Sequence, residues 1–310
     1  VTEPGLPVII ETDVCADVDD VGALALVHEA ADRGAARLLA IGVNTPSRWG
    51  HRAVAVINRF FDRPVPLGIL DPDRHPPDDS VAERDYARLL ATRFPGGDVP
   101  EPEPAVVVHR RALAAAEDGA VTVVSLGFLT NLAALLDSPG DRTDARSGSA
   151  LVAAKVCRLV IMGGRFPEGR EFNFEQDVAS AVAVLERWPT PVDLLGFEVG
   201  APVISGARLS VEAADTPVGA AYRAYCGPGN GRESWDPLTA HLALTDDPEL
   251  FAFSAPGRVR LEADGTSRFA EDPTGRHRIV RAVAGPERMA AAVDERLDRA
   301  VDRSRPHGRP

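Results

Sequence analysis

The chain has 310 residues, 45% of them apolar and 26% charged, and its formal net charge is −12. That length supports an ample core in one large or two ordinary domains, and the acidic balance argues against nucleic acid or an anionic membrane surface as the main partner, because both require a positive patch. Cys15, Cys157 and Cys226 are odd in number and far apart, which excludes a disulfide framework or zinc pattern and suits a reducing, cytoplasmic compartment.

No apolar stretch reaches membrane-spanning length and the opening VTEPGLP lacks signal character. A start at Val1 rather than Met leaves open that a leader has been removed. The stretch Val8–Leu24, VIIETDVCADVDDVGAL, is the organising segment of the chain. An apolar strand-length run, Val8 to Ile10, ends in Glu11-Thr12-Asp13; then come Asp17, Asp19 and Asp20, and a helical pattern occupies Val21 to Arg33. Four aspartates on one strand-to-helix turn repel one another, so they need a cation, helix N-terminal donors or a polyol ligand to stay ionised. Converging hard oxygens suit calcium or magnesium better than zinc. Simple helix capping by Asp17 to Asp20 is the alternative, and it accounts for one or two of the acids.

Gly34 ends the first helix, and Arg37–Val43 reads as a second buried strand finishing at Asn44. A helix over about Gly50 to Phe61 and a third strand at Val65–Ile69 complete a strand–helix alternation. Such alternation specifies a parallel sheet with right-handed crossovers, whose ligands sit off the carboxyl ends of the strands. Asp71 to Pro104, rich in Pro, Asp and Arg around one helix at Val81–Arg93, reads as a surface excursion or lid. The pattern then gives a helix near Ala105–Ala116, a strand at Val121–Leu126, a helix to Asp137, a polar loop over Ser138–Ser149 and a strand at Val156–Met162. A helix opened by Glu171-Phe172-Asn173 runs to Arg187, and Val192–Phe197 is a sixth strand-like run.

Later come helices at Val211 to Tyr225 and Ser234 to Leu244, and short antiparallel strands at Val259–Glu262, Ser267–Ala270 and His277–Val283. A closing helix occupies Pro286–Val301. We therefore expect one α/β domain over residues 1–302, with a mostly parallel, Rossmann-like central sheet, flanking helices and a small antiparallel β element near the C-terminus. Residues 303–310 read as a mobile tail.

Strand ends carry polar signatures in a fixed order: ETDVCADVDD, GVN, GFLTN and EFN, with SWDPL later. This set resembles the inosine-uridine-preferring nucleoside hydrolase family, which has D-x-D-x-G-x-D-D after its first strand, Asn after the second, L-G-P-L-T-N, M-G-G then E-F-N, and a late D-P-L. Haloacid-dehalogenase-type phosphatases also open on an aspartate cluster, but they need an Asp where this chain has Glu11.

The resemblance implies calcium-dependent hydrolysis of the N-glycosidic bond of ribonucleosides, giving base and ribose through an oxocarbenium-like state. It implies Ca²⁺ held by Asp13, Asp20, Asp236 and the backbone carbonyl of Thr130, with Asp13 also the general base for the metal-bound water. Asp19, Asn44, Glu171 and Asn173 are then the ribose-binding residues. The implied partner is a small nucleoside or riboside, and the implied assembly a homodimer or homotetramer. A non-catalytic calcium-dependent riboside-binding protein, or a hydrolase of another N- or C-riboside, is the alternative.

Two departures matter. Two extra residues separate Asp13 from Asp19-Asp20, with Cys15 at the motif's glycine, so Asp17 competes with Asp19 for the sugar. Trp235 stands where the best-known members have a His that protonates the leaving base. An indole cannot supply that proton, so Trp235 is expected to stack on the base, or Glu198, His51 or Tyr225 is expected to act as the acid. Trp49 is a second aromatic that could wall the pocket, although a core position suits it as well.

Overall fold

The computed structural model describes residues 5–78, 85–94 and 102–304. The first half builds five strands, β1 (Leu6–Thr12), β2 (Ala36–Val43), β3 (Leu67–Ile69), β4 (Glu103–Pro104) and β5 (Val121–Ser125). The second adds β6 (Val156–Met162), β7 (Glu168–Arg170), β8 (Val192–Leu195), β9 (Ile204–Ser205) and β10 (Arg232–Glu233). It closes with β11 (Phe251–Phe253), β12 (Gly257–Leu261), β13 (Thr266–Glu271) and β14 (His277–Ala282).

One 12-stranded sheet runs in the order β4-β3-β2-β1-β5-β6-β8-β14-β12-β13-β7, with β11 on β14; β9 and β10 form a separate ribbon. Every pairing from β4 through β8 to β14 is parallel. The chain builds outward from β1 toward β4, returns through β5, and grows the other way. The order therefore reverses between β1 and β5, and the crevice at their carboxyl ends is the natural ligand position.

Side chains alternate across the sheet and feed two cores. Val8, Ile10, Ile41, Val43 and Val124 face one, while Ile9, Ala40, Val123, Leu159 and Ile161 face the other. The Asp19–Asp32 helix is buried on nearly every side, His28 and Glu29 included. Arg296, Arg299 and Arg33 surround the Glu29 carboxylate, which is how a charge survives at that depth.

The expected antiparallel element near the C-terminus is present and is fused to the main sheet, because His277–Ala282 pairs parallel to β8 as well as antiparallel to β11 and β12. Two helix expectations change. The helix expected over Val211 to Tyr225 is two, Leu209–Glu212 and Pro217–Cys226, because Pro217 cannot continue a helix but can begin one, with Thr216 as its cap. The helix to Arg187 likewise breaks at Asp177, whose carboxylate accepts from Ser180 N and starts Val178–Arg187. Of the proposed lid helix, Tyr86–Arg93 is helical and residues 81–84 lie outside the described residues. The closing helix reaches Ser304, and of the expected tail residues 305–310 lie outside the described part.

Among the described residues no helix is long and apolar enough to cross a membrane.

Candidate active site

Asp13 follows β1 directly, and Asp19 and Asp20 begin the helix behind it; Asp236 lies in the first turn of the Trp235–Thr245 helix. All four are at most 4% exposed. Carboxylate oxygens of Asp13, Asp20 and Asp236 lie within 4.8 Å of one another. Asp20 Oδ1 accepts from the Thr12 hydroxyl, while its Oδ2 is buried with no hydrogen-bond partner among the described residues. Asp236 N donates to Asp19 Oδ2 at 3.0 Å, tying the late helix to the early turn.

Burial pushes the Asp20 carboxyl up to about 7. Burial and then the neighbouring acids hold Asp13 and Asp236 well above the usual carboxylate range. Three buried oxygens with raised pKa values and one orphaned acceptor fit a hard divalent cation, which would satisfy all of them at once.

The turn itself is clamped. Cys15 takes φ = +117°, a conformation that favours glycine. Cys15 N donates to the Tyr86 hydroxyl, which in turn donates to Asp17 O. Burial raises the Cys15 thiol to about 12, so it is a structural thiol and not a nucleophile.

Asp17 turns away from the cluster. Its carboxylate takes Arg232 Nε at 2.9 and 3.0 Å and Arg232 Nη2 at 2.5 Å. Asp19 faces Asp236 instead, so the competition between the two aspartates separates into an ion pair and a cluster position.

A pocket of 260 Å³ opens over the cluster. Asp13, Asp17, Asp19 and Asp236 line its acidic side, Glu171 and Asn173 lie on the pocket wall, and Phe172, Phe197, Tyr225 and Trp235 supply aromatic surface. Glu171 caps the Phe172–Gln176 helix, accepting from Asn173 N, Phe174 N and Gly164 N at 2.8, 3.3 and 3.0 Å. Asn173 Nδ2 donates to Leu126 O at 2.8 Å and Met162 O at 3.3 Å, binding the ends of β5 and β6 together.

Two expected site residues are elsewhere. Asn44 is fully buried behind the pocket: its Nδ2 donates to Glu11 Oε2 at 3.0 Å and its Oδ1 accepts from Phe128 N at 3.1 Å, so both ends of its amide are engaged away from the ligand space. Thr130 begins the Thr130–Asp137 helix, gives its hydroxyl to Asp177, and does not line the pocket; Leu126, four residues earlier, does. The strand end passes close to Asp13 because residue 127 is glycine, where a Cβ would fall 2.5 Å from Asp13 Oδ1.

Among the proposed acids, Tyr225 lines the pocket, whereas Glu198 and His51 do not. Glu198 accepts from Phe166 N. Trp235 lines the pocket with its indole N–H already donated to Phe197 O at 2.9 Å and its ring 5.3 Å from that of Phe197. Only its face is left for a ligand. Trp49 lies outside the pocket under Arg52 and Arg88.

Sequence reasoning missed two groups. Arg232 lines the pocket, and a lone arginine in GNGRESWDP carries no local signal. Glu11, weighed only against a phosphatase, is fully buried, takes Asn44 and Asn131 on Oε2, and has His109 Nε2 3.1 Å from Oε1. Burial raises Glu11 to about 7 and lowers His109 to about 4.

Sequence comparison with curated proteins finds no match. Among solved structures, a plant nucleoside hydrolase superposes with a TM-score of 0.72 at 22% identity, covering 95% of this chain and 99% of that one. An inosine-uridine preferring nucleoside hydrolase from Bacillus anthracis gives 0.70 at 20%, covering 96% and 100%. A type III effector protein complexed with adenosine diphosphate ribose gives 0.70 at 17%, covering 96% and 95%. At these identities the likeness is one of fold. The sequence model described as inosine-uridine preferring nucleoside hydrolase matches residues 8–297, from the first strand to the closing helix. The chain therefore belongs to that family of N-glycosyl hydrolases, and its buried aspartates stand at the strand ends where the fold gathers a ligand.

Proposed function

We propose that the protein hydrolyses ribonucleosides to base and ribose in a Ca²⁺-dependent reaction. The observation that carries this reading is the convergence of Asp13, Asp20 and Asp236 oxygens within 4.8 Å at the base of the pocket, with Asp20 Oδ2 left unsatisfied. Asp13, Asp20 and Asp236 would hold the ion, and we assign the neutral backbone oxygen to Leu126 rather than Thr130, because Leu126 lines the pocket. When bound, calcium supplies charge neutralisation and an oxygen-seeking centre for a water and the sugar's vicinal hydroxyls.

The chain's own residues do the rest. Asp13, directly after β1 and lining the pocket, takes the proton of the attacking water. Asp19, Glu171 and Asn173 line the sugar side; Asn173 spends Nδ2 on the backbone and keeps Oδ1 to accept from a hydroxyl. Carboxylates around the anomeric carbon stabilise the positive charge that grows as the C–N bond breaks. The Trp235 and Phe197 faces shelter the base.

Release of ribose from a panel of purine and pyrimidine nucleosides, with calcium and with chelator, tests the reading. We expect release that chelator abolishes, and an Asp13→Ala variant slower by at least about 10²–10⁴-fold, the usual worth of a general base, because it removes base and calcium ligand together. No release from any nucleoside, with ligand binding retained, would mean a riboside-binding protein that does not turn over.

A further inference from the structure

Breaking an N-glycosidic bond leaves an electron pair on the base, and that charge needs a partner. None of the described histidines (His28, His51, His75, His109, His241 and His277) lines the pocket. The Trp235 N–H is spent on Phe197 O. Among the described residues lining the pocket the one cation is Arg232. Its guanidinium carbon lies 5.3 Å from the Trp235 ring centroid and 5.4 Å from that of Tyr225, on the side where the aromatic faces gather.

Its orientation is fixed. Nε and Nη2 are held by Asp17, and Nη1 donates to Glu233 Oε2 at 2.7 Å. A guanidinium has five N–H donors, so these bonds leave one N–H on each of Nη1 and Nη2. With all three nitrogens anchored and one N–H remaining on each terminal nitrogen, the guanidinium is a preorganised donor. It also explains why Asp17 leaves the aspartate cluster.

We propose that Arg232 is the leaving-group residue of this enzyme, donating hydrogen bonds to the departing base while keeping its own proton. This inference rests on the riboside-hydrolase reading of the same pocket. In the step, the C1′–N bond breaks with its electron pair going to the base nitrogen, and the water oxygen bonds to C1′. Asp13 takes the water's proton and later returns it to solvent. The base anion, stabilised by Arg232, takes its proton from solvent, so nucleoside and water balance against ribose and neutral base. Such a site favours bases with acceptor atoms toward the guanidinium and replaces proton transfer by charge stabilisation.

The test compares inosine with 4-nitrophenyl β-D-ribofuranoside, whose phenolate leaves without assistance. Arg232→Gln is expected to lower kcat on inosine about 10²-fold, the size of one lost oriented donor, and on the aryl riboside by no more than a few-fold. Arg232→Lys keeps the charge without the fork and is expected to fall between. Should Arg232→Gln misfold with Asp17 left unpaired, the Asp17→Asn/Arg232→Gln double variant removes the pair together and is expected to show the same selectivity. Equal losses on both substrates, no loss on either, or a leaving-group-dependent loss in Tyr225→Phe instead would overturn the assignment. A wild-type protein that cleaves one or both ribosides while the variants lose no selectivity defeats Arg232 alone. A wild-type protein that cleaves neither defeats the riboside-hydrolase reading and this inference with it.

Discussion

Replacing Asp20 by Asn is expected to reverse its effect on stability according to whether calcium is present. Asp20 is fully buried and its carboxyl is raised from 3.8 to about 7, chiefly by burial. A carboxyl raised on folding gives stability that is complete below its unfolded pKa and is lost as pH rises through the folded value. For Asp20 the window runs from about pH 4 to pH 7, and the loss is on the order of 4 kcal/mol at 1.36 kcal/mol per unit. An Asn carries no such cost, can still accept from Thr12, and offers an amide to the carboxylates of Asp13 and Asp236. In chelator at pH 8 the variant is therefore expected to be the more stable protein by a few kcal/mol. At roughly 2 °C per kcal/mol for a chain of this size, that is about 6 °C in Tm.

Calcium at about 1,000 times its Kd stabilises a folded binder by about 4 kcal/mol. The wild type gains this and Asp20→Asn does not, so with calcium the order of the two melting points inverts. Calorimetry at pH 8 in chelator and in millimolar calcium reads both signs, and in chelator the gap is expected to close as pH falls toward 4. A variant that melts below the wild type in both conditions, or a wild type whose Tm ignores calcium, would make Asp20 an ordinary helix-start residue and refute the reasoning.

Trp235→Ala removes a face and no donor available to the ligand, since the indole N–H serves Phe197 O. KM is expected to rise about 3–10-fold, the worth of one aromatic stack, with kcat nearly unchanged; a matching fall in kcat would point to a contact made only in the transition state. Glu11→Gln keeps an acceptor for Asn44 and Asn131 but abolishes a buried carboxyl raised to about 7 from 4.5. Its Tm relative to wild type, measured in chelator, is expected to climb between pH 4.5 and 7 and then level off; a pH-independent difference would show that folding leaves the Glu11 carboxyl at its ordinary pKa.

The strand–helix alternation was legible because parallel strands buried on both faces read as apolar runs, and Val156–Met162 agrees with the sequence expectation residue for residue. The short pairs β4, β9 and β10 span two residues each and leave no periodic trace. The aspartate cluster was legible because acids crowd one turn, whereas Asp236 was legible only through the resemblance that its late Asp-Pro-Leu helps to carry. Asn44 and Thr130 lie outside the pocket lining for a common reason: a polar residue at a strand end serves the ligand or the loop beside it, and only packing decides which. Glu11 at the end of β1 draws Asn44 and Asn131 inward, and Asp177 draws Thr130. Arg232 is 215 residues from its partner Asp17, a separation no local pattern reports.

The central claim is that Asp13, Asp20 and Asp236 share one hard ion that grips a ribose diol. A crystal grown with calcium and ribose tests it most directly. The account predicts density for a seven- or eight-coordinate ion with oxygen ligands at about 2.3–2.6 Å, bridging those three carboxylates and the two adjacent sugar hydroxyls. Ribose bound in the pocket with the three carboxyls hydrogen-bonded to one another and no ion between them would contradict it.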